Sequence, residues 1–231
     1  MVAHRSREIL VIHPGALGDV LQAVPALAAL RALEEGTRLT FAGQTHLGRL
    51  LVGVGLVDEA LPFERLGLEV LFAGDPVPAS VQSRLARFGR VVSWFGASAE
   101  PFPERLRAIV PEALFARPVP DGDHSPAVWK HLLGTLTSWG VAAPARLAPL
   151  DLPVAWRAEA RLTLSRLGWD PRRPLLAVHP GAGGKWKRWP AEGFARVIRL
   201  VAVETGCQVL IHQGPADRDA ADQLFRALDL P

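Results

Sequence analysis

One short pattern occurs twice in this chain and limits its folds more than any other feature. Ile9-Leu-Val-Ile-His13-Pro14-Gly15-Ala16-Leu17-Gly18 is echoed by Leu175-Leu-Ala-Val-His179-Pro180-Gly181-Ala182-Gly183-Gly184. Each copy is a short apolar run, then His-Pro-Gly-Ala, then a further glycine ahead of a helix-patterned stretch. An unbroken apolar run that ends in a glycine turn reads as a strand buried on both faces, as in parallel sheets covered by helices. Two such first strands, one in each half, predict two Rossmann-like domains facing each other.

The rest of the first half keeps the same rhythm. Strands are expected at 9–12, 38–42 (with alternating polarity), 57–62 and 91–95, and helices at 19–34, 44–52 and 79–88. Trp94 and Phe95, at the end of the fourth strand, read as core or second-layer residues before cleft residues. The stretch 101–126 is rich in proline and reads as irregular, with a strand candidate at 110–115. A helix over 128–139 would place Leu132, Leu133, Leu136 and Trp139 on one face. Residues 141–153 read as an interdomain linker. Beyond them come a helix at 156–167, a strand at 175–178, a helix at 191–204, a strand at 208–211 and a helix at 216–228. The expected domains are therefore 1–150 and 151–231. The second holds only two strands where a doubly wound sheet usually needs four or more, so it is expected to be incomplete.

Composition narrows the function. With 49% hydrophobic and 21% charged residues the chain is globular rather than disordered. The longest apolar run, 20–30, is interrupted by Pro25 and falls short of the roughly 20 residues of a membrane span. No secretory leader is visible at the N-terminus, so a cytoplasmic location is expected. A lone Cys207 excludes a disulfide framework and a multi-cysteine metal site. The pI of about 9.7 suggests a nucleic-acid binder, but the formal net charge is only +3 and the basic residues are scattered. Nucleic acid is therefore not an expected partner. His13, His179 and His212 would come from three separate loops without a short-range ligand pair, so no metal site is expected.

The two glycine turns carry what chemistry the chain has. Gly15-Ala16-Leu17-Gly18-Asp19 lies where ligands collect in open α/β sheets, at the carboxyl end of a strand. Asp19 there has two readings, a helix cap or a general base facing a cleft. A helix N-terminus would weaken it as a base and burial would strengthen it, and both readings stay open at this point. The spacing of Gly15 and Gly18 does not match a dinucleotide fingerprint. The second turn runs His179-Pro-Gly181-Ala182-Gly183-Gly184-Lys185-Trp-Lys187-Arg-Trp-Pro190, with Pro190 suited to open a helix. Its backbone N–H groups are expected to cradle a phosphate. Of 26 basic residues only three are lysines, leaving 23 arginines, and Lys185 and Lys187 are two of those three. A compact ammonium suits a point contact to phosphate. A solvated basic loop is the alternative. A nucleotide-hydrolysing P-loop does not fit, because Trp186 rather than Ser or Thr follows Lys185.

The residues of 9–30, with Gly-Ala-Leu-Gly-Asp at their centre, resemble the opening of glycosyltransferase family 9, the lipopolysaccharide heptosyltransferases. Residues 176–194, with Lys-Arg-Trp-Pro, resemble the donor-side loop of that family, and 209–217 resemble its next strand end. The resemblance implies a GT-B architecture with an acceptor-binding N-terminal domain and a nucleotide-sugar-binding C-terminal domain. It implies transfer of a heptose from an ADP-sugar to a lipopolysaccharide-type glycolipid at a membrane surface, with inversion and with neither cofactor nor metal. It also implies that Asp19 is the base, that Lys187 sits at the donor phosphates beside Lys185 and 181–184, and that 15–18 form the acceptor-side loop. The family's later Asp-x-Gly-x-x-His segment has no counterpart in this chain. A non-catalytic nucleotide- or phosphate-binding remnant, or a fragment completed by another chain, is the alternative expectation.

Overall fold

The computed structural model describes residues 7–33, 36–122, 126–141 and 150–229. They form two compact units that part between Pro153 and Val154. Most of the expected linker, 142–149, lies outside the described residues, as does the expected end of the first helix at residue 34.

The first unit is built on a parallel sheet of five strands, β1 (Glu8–Ile12), β2 (Arg38–Gly43), β3 (Glu59–Pro62), β4 (Arg90–Ser93) and β5 (Ala113–Phe115). Their order is β3-β2-β1-β4-β5. The chain moves outward from β1 in one direction and then restarts on its other side at β4. That reversal leaves a crevice at the carboxyl ends of β1 and β4, where open α/β sheets bind ligands. The helices are α1 (Leu17–Arg31), α2 (Thr45–Gly53), α3 (Ala79–Ala86), α4 (Phe102–Ile109) and α5 (Val128–Gly134).

Both faces of the sheet are covered. Ile9 and Val11 of β1 pack with Leu39, Phe41, Val92 and Trp94 beneath Leu27 and Leu30 of α1 and Leu132 and Leu133 of α5. Leu10 and Ile12 face the other way, toward Leu85 of α3 and Phe102 and Leu106 of α4. This two-sided burial is why the strands read as unbroken apolar runs.

Three local expectations change. β2 does not alternate between core and solvent, because Thr40 is as buried as its neighbours and its Oγ1 finds no hydrogen-bond partner among the described residues. Within the proline-rich stretch, 102–109 form α4. Pro103 sits in the first turn, where a missing N–H leaves no helix bond unmade, and Phe102 and Leu106 supply the buried stripe. The helix expected over 128–139 ends at Gly134, and a short 3₁₀ turn follows at Thr137–Trp139.

The second unit contains α6 (Val154–Arg166), β6 (Leu175–Val178), α7 (Ala191–Thr205), β7 (Gln208–Ile211) and α8 (Arg218–Ala227). β6 and β7 pair in parallel as a two-stranded sheet. Val178, Ala195, Ile198 and Leu224 form its small core, with Leu176 and Ile211 packed against them. Ala177, on the opposite face, is exposed. α6 buries none of its residues. No helix among the described residues is long and apolar enough to cross a membrane.

Candidate functional site

The first turn begins at His13, the residue after β1. Its backbone N–H donates to the carbonyl of Ala42 (2.9 Å), extending the β1–β2 pairing by one step. Its side chain is buried, with the ring edge-on to Trp94 at 5.7 Å between centroids. The ring Nε2–H donates to the backbone carbonyl of Asp19 (3.3 Å). Burial lowers the His13 pKa from its ordinary value, against the opposing pull of the Asp19 carbonyl and carboxylate. Burial thus favours the neutral imidazole, and its Nδ1 is buried without a hydrogen-bond partner among the described residues.

Asp19 is the third residue of α1. Its Oδ2 accepts a hydrogen bond from the backbone N–H of Ala16 (3.1 Å). Ala16 has no side-chain acceptor to return the bond, so half of a capping box forms. The carboxylate therefore caps the helix and is exposed at the same time. Gly15 is required by close approach, because a Cβ there would lie 2.8 Å from His13 Cε1 and 2.9 Å from Asp19 Cβ. Gln44, at the head of α2, donates from Nε2 to the carbonyl of Gly15 (3.1 Å) and braces the turn.

These residues open on a cavity of about 290 Å³ lined by His13, Pro14, Gly15, Asp19, Trp94, Phe95, Gly96, Pro118 and Val119. It sits at the carboxyl ends of β1 and β4, as the strand order requires. Of the expected acceptor-side turn, Gly15 lines the cavity, whereas Ala16, Leu17 and Gly18 are exposed at the start of α1 and do not. Trp94 fills both roles considered for it. It is buried, donates from Nε1 to Thr135 Oγ1 (3.3 Å), and lines the cavity. Pro118 and Val119 had no signal in the sequence, since they come from the proline-rich stretch far from either glycine turn.

The second turn follows β6. Among the described residues the backbone N–H groups of Gly181, Ala182, Gly183 and Gly184 donate to no acceptor. They do not form the N-terminus of α7, which starts at Ala191 after a 3₁₀ turn at Lys185–Lys187. The residues expected to form a cradle are instead a loop apart from the helix, with amides that donate to no acceptor among the described residues. Lys185 and Lys187 are exposed, and Lys187 Nζ stands 4.8 Å from the Trp186 ring centroid.

Asp217, at the head of α8, holds this loop from behind. Its Oδ2 accepts from Gly214 N (3.2 Å) and lies 3.5 Å from His179 Nε2. A Cβ on Gly181 would meet Asp217 Oδ1 at 2.1 Å, so only glycine fits. His179 Nδ1–H donates to the carbonyl of His212 (3.0 Å). His179 and His212 are thus neighbours in the second unit, while His13 belongs to the first. Among the described residues no cluster of three metal-ligating side chains occurs. The bracing role of Asp217 was not legible, because it depends on how close β7's turn comes to Gly181.

The fold has counterparts among known proteins. A glycosyl transferase family 9 protein from Veillonella parvula superposes with a TM-score of 0.71 at 17% identity, over 97% of this chain and 67% of its own. The E. coli ADP-heptose lps heptosyltransferase II gives a TM-score of 0.67 at 20% identity, over 96% and 69%. E. coli heptosyltransferase WaaC with ADP-2-deoxy-2-fluoro heptose gives 0.55 at 16% identity, over 96% and 74%. The architecture is that of these GT-B glycosyltransferases. No curated protein sequence matches the chain. The sequence model of glycosyltransferase family 9 (heptosyltransferase) matches residues 113–229, just over half of the chain and all of the second turn. With that match, and with the fold shared by its heptosyltransferases, the chain belongs to glycosyltransferase family 9.

Proposed function

We propose that this protein is an inverting glycosyltransferase that moves a sugar, a heptose in the first instance, from an ADP-sugar to a hydroxyl of a lipopolysaccharide-type glycolipid. The first unit binds the acceptor and the second the donor, and the enzyme works at the cytoplasmic face of a membrane. The observation that carries this reading is the loop 181–184, whose unspent amides stand beside Lys185 and Lys187. Such a loop matches a diphosphate in charge and in hydrogen-bond direction. The WaaC structure with an ADP-heptose analogue supports the choice of donor.

In the reaction, Asp19 takes the proton of the acceptor hydroxyl, and Oδ1 is the oxygen not committed to Ala16. The alkoxide oxygen then bonds to the anomeric carbon from the face opposite the diphosphate, as the bond from that carbon to the diphosphate oxygen breaks. Negative charge grows on the leaving ADP, where the loop amides and Lys187 stabilise the transition state more than the ground state.

Two substitutions test the assignment in a transfer assay with ADP-heptose and in ADP calorimetry. Asp19→Asn should lower turnover by about 10²–10⁴-fold with ADP affinity intact. Lys187→Ala should weaken ADP binding by roughly tenfold, the loss of one charge-assisted contact. Wild-type turnover in Asp19→Asn removes Asp19 from the mechanism. The narrow, two-stranded sheet of the second unit favours one other reading, a module that binds nucleotide without transferring. ADP binding with no turnover of any sugar would select it.

A further inference from the structure

We infer that the second unit takes up a proton when its glycine turn binds a nucleotide-sugar, the proton coming from solvent and lodging on His179 Nε2 against the Asp217 carboxylate. This rests on the reading of 181–184 as the donor diphosphate loop, and it makes that loop sensitive to pH. Asp217 is an unexpected neighbour for an anion cradle. Its carboxylate stands directly behind the loop, where a Cβ on Gly181 would overlap it, and its side chain is only 14% exposed. A carboxylate so close and so little screened opposes a diphosphate on the same loop unless another group balances its charge.

The balancing group is His179. Its Nδ1 lies 3.0 Å from the carbonyl of His212, which can only accept, so this nitrogen carries a hydrogen. The same Nδ1 lies 3.1 Å from His212 Nδ1, which is then the bare nitrogen of its own ring. His179 Nε2 faces Asp217 Oδ2 at 3.5 Å. In the neutral ring that nitrogen sets a lone pair against a carboxylate. In the imidazolium it sets an N–H there, and the carbonyl, the second histidine and the carboxylate are all matched at once. Among the described residues the titratable groups against His179 are His212, from the end of β7, and Asp217, from the head of α8. Its own turn carries Lys185, Lys187 and Arg188, the last paired with Asp219 (3.5 Å). The His179 side chain is 44% exposed, so it exchanges protons with solvent near neutral pH, where histidines change charge. A diphosphate on the loop favours the proton's arrival, and by linkage the proton favours the diphosphate.

The test is calorimetry of the full chain with ADP-glucose, a diphosphate diester that lacks the second phosphate proton of ADP. It is run at about pH 7.5, above the ordinary histidine value, in two buffers of different ionisation enthalpy. The heats should differ by the uptake of about half a proton to one proton, and Kd should rise by up to about tenfold per pH unit above neutrality. Asp217→Asn keeps the shape of the brace and offers an amide N–H to the neutral ring, so it should bind with no proton uptake and a Kd flat in pH. His179→Gln should lose the uptake as well. A loop that is merely held in shape by these residues would show neither change. Equal heats in the two buffers for the unaltered chain overturn the inference, and so does uptake that persists in either variant. Absence of ADP-glucose binding in every buffer is a separate result, which removes the donor reading and this inference together.

Discussion

Thr40 and His13 are buried polar residues of the first unit that each leave one side-chain atom without a hydrogen-bond partner among the described residues, and each sets a measurable expectation. Thr40→Val removes an unpaired hydroxyl at almost constant shape and should raise stability by about 1 kcal/mol, read as a higher denaturant midpoint. A lower midpoint would mean that the hydroxyl has a partner. His13 ties stability to pH through its depressed pKa. Above its unfolded value of about 6.5 the ring is neutral in both states and its burial carries no charging penalty. As pH falls below that value the unfolded chain takes up the proton first, so stability declines until the folded pKa is passed. Asp19 faces the same ring and opposes the shift without reversing it. His13→Asn should flatten the stability profile between about pH 6.5 and the acid limb. An unchanged slope in that variant would assign the acid loss to other groups.

At the scale of elements, the two turns are held by close approach more than by hydrogen bonds. A Cβ added to Gly181 would overlap the Asp217 carboxylate, whereas one on Gly183 meets nothing within 4 Å. Gly181→Ala should therefore push the loop off its brace and weaken ADP binding by at least tenfold (~1.4 kcal/mol), while Gly183→Ala leaves it nearly unchanged. Calorimetry with ADP on the pair checks this, and equal effects would show that Asp217 does not shape the loop. The same scale shows where the sequence was readable. The apolar run of β1 and the glycine turn after it were legible, because burial on both faces of a strand leaves no polar position; β6 reads the same way although its Ala177 is exposed. β2 misleads by one residue, since Thr40 reads as solvent-facing but is fully buried in a strand that lies between β1 and β3. α4 was hidden because prolines at its entrance read as breakers, although a helix tolerates them in its first turn.

For the molecule as a whole, the two units differ in how well their sheets are covered. The first has helices against both faces, while the second keeps a small core on one face of two strands and exposes Val197, Leu200 and Val203 along α7. Local opening follows buried contact density. Amides of β6 and β7 should exchange with solvent deuterium at least tenfold faster than those of β1 and β2, about 1.4 kcal/mol less protection. Equal protection in both sheets would mean that the exposed surface of the second unit is covered in solution. The sequence by itself determined the class of fold and the position of both turns, because alternation of apolar runs and helical periods is a local pattern that parallel sheets require. It also marked Asp19 in the first turn and Lys185 and Lys187 in the second as charged residues. Only the tertiary structure decided that Thr40 is buried, that Asp217 braces Gly181, and that Pro118 and Val119 wall the cavity beside Asp19. Each of these depends on chain segments far apart in sequence meeting at a strand end, and no local pattern encodes that distance.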